Sequence, residues 1–357
     1  MPISSRRRLV GLLAAATCVA TSAASAQATS VPDGETISPL FRSEAPLAVT
    51  FTAHLGQLRD DKKHGDKAPW RGAMLTYKGP DSALVRVPVR AKVHGIWRLA
   101  HCEFPPIRLN FAGKDTKNTV FDHVDKPKLT NYCRDTDAYE QYVLQELQLY
   151  RIYQLLTPTS HRVRLLRVTY ADSGSGKTEA VRYGFLIEDP DQMAARLGGK
   201  LTKLKGAGIE DFEQTPQAVV YLFEYLIGNT DFSFNQLHNG EIVALPDGRN
   251  LPVAYDFDFA GAVNTRYATP DPSIRITKVR YRKFRGYCQL NPEFVKAIPL
   301  FQQKKDAIYA LYADEVGRLL DPGVVRETLG YFNEFYDAIG DPGKADRVIF
   351  RDCLGPR

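Results

Sequence analysis

Along residues 83–93 the run Ala-Leu-Val-Arg-Val-Pro-Val-Arg-Ala-Lys-Val alternates apolar and charged positions with a period of two, the mark of a strand with one buried face. Pro88 lacks a backbone donor and therefore points to an edge strand. Ile107-Arg-Leu-Asn-Phe111 repeats the alternation, so residues 47–111 read as strands. The period then changes. Over residues 139–156 apolar side chains recur at Tyr139, Val143, Leu147, Tyr150 and Leu155, with Tyr142 beside them, which predicts a helix with a buried stripe.

Residues 162–170 and 182–188 predict a hairpin whose tip is Asp172-Ser-Gly-Ser-Gly-Lys-Thr178. That tip is not a phosphate-binding loop of the Gly-x-x-x-x-Gly-Lys-Thr type, because Ala171 stands where the first glycine belongs and a strand follows it. From about residue 191 onward the chain reads as mainly helical. Thr215 is placed to cap a helix over 217–227, with Pro216 at its first position and Gly228 at its end.

The first 26 residues carry Arg6, Arg7 and Arg8, an apolar stretch from Leu9 to about Thr21, and the small-residue run Ser22-Ala-Ala-Ser-Ala26. This is the order of a cleavable secretory signal, too short in its apolar part for a membrane span of roughly 20 residues. The expectation is an exported chain, periplasmic or extracellular, that starts near Gln27 and has no transmembrane segment. Removing the signal takes away three arginines and no acid, so the formal charge falls from +6 to +3. Such a near-balance predicts no nucleic-acid partner by itself. Four cysteines remain, Cys102, Cys133, Cys288 and Cys353. In an oxidising compartment they predict two disulfides, with three pairings open.

The candidate chemistry follows the 217–227 helix. Gly228-Asn-Thr-Asp231 leads through His238 to Asn239, and after a turn at Pro246-Asp-Gly the apolar run Pro252-Val-Ala-Tyr-Asp256-Phe-Asp258 closes. A carboxylate after a helix, an amide several residues on and a carboxylate ending an apolar strand is the order of a phosphotransfer site. There the first acid orients the acceptor hydroxyl, while the amide and the second acid hold Mg2+ against nucleotide phosphates. Asp256 and Asp258 sit among apolar residues, where an unpaired carboxylate is costly to bury.

These blocks, together with Pro105-Pro-Ile-Arg-Leu-Asn-Phe111, Lys128-Leu-Thr-Asn-Tyr-Cys133 and Gly184-Phe-Leu-Ile-Glu188, resemble the spore-coat protein H (CotH) kinase-like family, and more closely its exported bacterial relatives. The resemblance implies an α+β, bilobal protein-kinase-like fold. A strand-rich N-terminal lobe (47–190) with one prominent helix would follow an extension (27–46), and a mainly helical C-terminal lobe would take 191–357. It implies Asp231 as catalytic acid and Asn239, Asp256 and Asp258 as metal ligands. On the nucleotide side it implies Arg108, Lys128, Glu146 and Glu188. Function is then a Mg2+-dependent phosphotransferase using ATP on an unknown acceptor; the alternative is an inactive kinase-like binding or structural module. No Gly-x-Gly-x-x-Gly loop is present. The basic run 275–285 reads either as an acceptor surface for anions or as an alternating segment with one solvated charged face.

Overall fold

The computed structural model describes Met1 and residues 38–356; the expected signal peptide (1–26), its cleavage after Ala26 and residues 27–37 of the expected extension lie outside the described residues. Seven strands, β1 (Leu47–Ala53), β2 (Arg71–Lys78), β3 (Leu84–Val93), β4 (Ile107–Phe111), β5 (Lys128–Thr130), β6 (Val163–Asp172) and β7 (Thr178–Ile187), close into a barrel in the order β1-β2-β3-β4-β5-β7-β6. All neighbours are antiparallel except β1 and β6, which run parallel with Leu47 opposite Leu166. Closure removes the free edges on which sheets otherwise associate.

β3 keeps the alternation that its sequence announces, with Val87, Val89, Ala91 and Val93 buried. It is an interior strand, however, paired on both sides. Pro88 is tolerated because pairing with β4 begins only at Val89, so no ladder bond is missing on that side. The barrel core holds Phe51, Phe104, Phe121 and Tyr170. Each such buried Phe contributes about 1.5–3 kcal/mol.

Short helices α1 (Leu55–Asp60), α2 (Trp97–His101) and α3 (Gly113–Thr116) lie in the barrel connections. The long helix α4 (Asp137–Leu156) packs on β7 and on the C-terminal helices together, which is why Gln145, Glu146, Gln148 and Arg151 are buried along with its apolar stripe. Beyond the barrel come α5 (Pro190–Arg196), β8 (Lys200–Thr202), α6 (Gln214–Ile227), β9 (Gly240–Ala244), β10 (Asn250–Ala254), α7 (Asn291–Ala310), α8 (Pro322–Ile339) and α9 (Pro342–Val348). α6 starts earlier than the cap signal suggests, with Glu213 at its N-cap, so Pro216 falls in the first turn where its missing donor costs nothing. It ends at Gly228 in the left-handed conformation, where a Cβ would meet the Tyr331 hydroxyl at 1.9 Å.

The bilobal kinase-like fold is overturned. The strands form a closed mixed barrel rather than an open lobe sheet, because β1 finds a second partner in β6. A further sheet, β10-β9-β8, stands in the part expected to be helical. The described residues from 38 on form one compact unit.

Both expected disulfides are present, Cys102–Cys133 and Cys288–Cys353. Among the described residues no helix is long and apolar enough to cross a membrane.

Candidate functional site

The segment after α6 is built to hold Asp231 still. The Asn229 side-chain carbonyl accepts the Asp231 backbone N–H at 3.0 Å, a local turn that asparagine favours. Arg285 donates to the carbonyls of Thr230 and Phe232, on either side of Asp231. One Asp231 carboxylate oxygen accepts from His238 Nε2 at 2.9 Å, and the other from Asn239 Nδ2 at 3.2 Å. The same Asn239 amide donates to the Asp231 backbone carbonyl at 2.8 Å. Its Oδ1 is thereby left to face outward.

The second acidic segment leaves β10 beside the first. The Tyr255 N–H donates to the Asn239 carbonyl at 3.2 Å, and the Gly261 N–H to the Gly228 carbonyl at 3.0 Å, so the two loops are tied backbone to backbone. Asp256 has φ +65°, left-handed and uncommon outside glycine. Its N–H donates to the Tyr150 hydroxyl at 2.9 Å. Asp258 is buried, and its carboxylate accepts from the Tyr267 hydroxyl at 2.9 Å.

Across the cleft stand the barrel residues. Lys128 on β5 holds its ammonium 4.4 Å from the centre of the Tyr255 ring. Arg98, on α2, donates to the Asn131 carbonyl and lies 4.0 Å from the Glu146 carboxylate of α4. The cleft between has a volume of about 510 Å³ and is lined by Lys128, Arg98, Asp231, Asn239, Asp256 and Asp258, with Trp97, Tyr255 and Phe259 as aromatic walls.

The charges press on one another. Burial raises the Asp256 carboxyl against the pull of Lys128 and Arg98. Burial, and then the Asp256 charge, push Asp258 up to about 7. Glu146 is raised well above the usual range by burial and by Asp258. His94, at the cleft wall, is held neutral down to about 3 by burial and the cations Lys128, Arg108 and Arg98. Two acids, Asp256 and Asp258, thus stand beside two cations in the cleft, with Glu146 behind Arg98.

Of the expected residues, Asp231, Asn239, Asp256, Asp258 and Lys128 line one cleft, and Glu146 lies behind it on Arg98. Two do not. Arg108 is bound to Asp189 at 3.0 Å, and Glu188 to Arg196 at 2.8 Å, both away from the cleft lining. Arg98, His238, Tyr150 and Tyr267 are functional neighbours that the sequence reading did not select. Arg98 had no signal, since α2 is one turn long; His238 stood between Asp231 and Asn239 in the motif itself.

Among the described residues no group of three or more His, Cys, Asp or Glu side chains is placed to hold a metal by itself. Mg2+ commonly takes only one or two carboxylates and completes its shell with water and substrate phosphates. Asp256 and the Asn239 Oδ1 suit that role. Comparison with protein-family models gives no match, and comparison with curated proteins gives none.

Proposed function

We propose that this protein is a Mg2+-dependent phosphotransferase that uses ATP on an acceptor outside the cytoplasm. The observation that carries the reading is the convergence of Asp231, Asn239 and Asp256 with Lys128 and Arg98 on one cleft, although they come from four separate stretches of chain. Its volume is in the range of small-ligand sites, and its aromatic walls suit a nucleobase. Lys128 and Arg98 neutralise phosphate oxygens, and Glu146 holds Arg98 in place from α4. Asp256 and Asn239 would hold the metal, with Asp258 alongside, and Mg2+ would supply charge neutralisation to the phosphates. Asp231 orients the acceptor hydroxyl. The roles of Asp231, Asn239 and Asp256 are those that the resemblance to the CotH family implies; Arg98 is added to them here, and Arg108 and Glu188 drop out. Two disulfides support an extracytoplasmic location.

One observation favours a second reading, a nucleotide-binding module without transfer. Both Asp231 carboxylate oxygens already accept hydrogen bonds, from His238 and Asn239.

A thermal-shift measurement with ATP, with and without Mg2+, tests the proposal, since a ligand preferring the folded state raises the melting temperature. A rise that requires both ATP and Mg2+ is expected. No rise with either sinks both readings; a rise with ATP that ignores Mg2+ leaves only the binding module.

A further inference from the structure

The contact between Asp231 and His238 is more specific than a surface ion pair. His238 sits in a tight loop whose ends are bridged, Ser233 N–H to the His238 carbonyl at 2.8 Å and His238 N–H to the Ser233 carbonyl at 2.9 Å. Both its chain neighbours, Leu237 at φ +54° and Asn239 at φ +49°, are left-handed without being glycine. Strained conformations of this kind survive where the surrounding structure enforces them, and they concentrate at functional sites. Here they aim the imidazole into the cleft, against Asp231.

A carboxylate only accepts, so the contact at 2.9 Å requires the proton of neutral His238 to sit on Nε2. That leaves Nδ1 as the basic nitrogen. It has no protein partner among the described residues, and the side chain is 57% exposed at the rim of the cleft. Asp231, by contrast, has both carboxylate oxygens engaged. An acid that fixes a histidine tautomer and leaves the far nitrogen open is the arrangement of an orienting carboxylate and a general base.

Resting on the phosphotransfer reading above, we propose that His238 is the catalytic base, and that Asp231 acts through it as the positioning residue. In the transfer step His238 Nδ1 takes the proton of the acceptor hydroxyl. The hydroxyl oxygen forms its bond to the terminal phosphorus of ATP. The bond from that phosphorus to the bridging oxygen breaks, and its electron pair leaves on ADP. The imidazolium, stabilised by the Asp231 charge, then gives its proton to water.

The experiment uses the mature protein with H238A, H238Q and D231N. H238A is expected to keep the ATP- and Mg2+-dependent thermal shift while kcat falls by about 10²-fold or more, with partial rescue by added imidazole. D231N is expected to keep the thermal shift and to lose kcat as H238A does, and the H238A/D231N double variant should be little slower than either alone. Full-rate transfer by H238A overturns the base role and leaves the phosphotransfer reading standing. A wild type that neither binds nor turns over ATP removes that reading and the base role with it. Losses of kcat that simply add in the double variant overturn the pair itself.

Discussion

The hydroxyl of Tyr150, on α4, accepts the backbone N–H of Asp256 at 2.9 Å and so anchors a residue with a positive φ at the floor of the cleft. Replacing Tyr150 by Phe removes the partner of that part-buried N–H. Y150F is expected to lose about 1 kcal/mol of stability, the net worth of an ordinary hydrogen bond. Its ATP affinity in the presence of Mg2+ should fall as Asp256 drifts. Urea unfolding and nucleotide titration measure the two effects; an affinity unchanged from wild type would detach Tyr150 from the site.

Asp256 and Asp231 stand in one cleft but are expected to fail differently. D256A should abolish Mg2+-dependent nucleotide binding, because phosphate charge is left uncompensated. D231A should keep nucleotide affinity while transfer drops by about 10²-fold or more. Calorimetric binding, set beside phosphate transfer or ATP hydrolysis, separates them. Equal losses of binding would dissolve the division of roles.

Asp258 makes the ligand-free protein sensitive to pH. Unfolded, its carboxyl ionises at about 4; folded, it holds its proton up to about 7. Between those values the folded state binds more protons, so this group's contribution to stability is full below pH ~4 and is lost as pH rises to about 7. His94, neutral down to about 3, slopes the opposite way. D258N shares that opposing slope and lacks the Asp258 one. Its melting temperature, relative to wild type, should therefore climb from pH 5 to pH 8; a flat difference would place Asp258 outside the buried acid group.

How much of this was readable in the chain depends on how local each signal is. α4 was visible as a stripe, and the end of α6 as Gly228, because both are written in adjacent residues. Barrel closure was not, since the pairing of Leu47 with Leu166 leaves no mark in either segment. The acids of the site could be read from one motif and its spacing. Of their two cations Lys128 could be read as well, but Arg98 could not, because it acquires its meaning only from Glu146, Asp256 and Asp258, which arrive from elsewhere. The basic run 275–285 divides, with Arg275 and Lys278 exposed and three of its arginines turned onto protein carbonyls. Arg282 is buried on the carbonyls of Tyr225, Leu226 and Tyr331, Arg280 reaches the Gly261 carbonyl, and Arg285 brackets Asp231. Alternation of charge shows a period, not what lies under it.

The two disulfides are expected to differ in consequence. Cys102–Cys133 joins the end of α2, which carries Arg98, to the segment just past β5, which carries Lys128. Cys288–Cys353 joins the start of α7 to the C-terminal segment, away from the cleft lining. Replacing either pair by serine should cost about 2–4 kcal/mol. Only C102S/C133S should also weaken ATP binding markedly. If both double variants bind ATP like wild type, the first bridge has no part in placing the cations.

The parallel seam between β1 and β6 also sets an order of assembly. A chain made from its N-terminus releases β1 first, yet that strand has only β2 to lie against until residues 163–172 have appeared. Between the two events the barrel is an open, unfinished sheet with a bare rim, and pairings across such long stretches of chain form slowly.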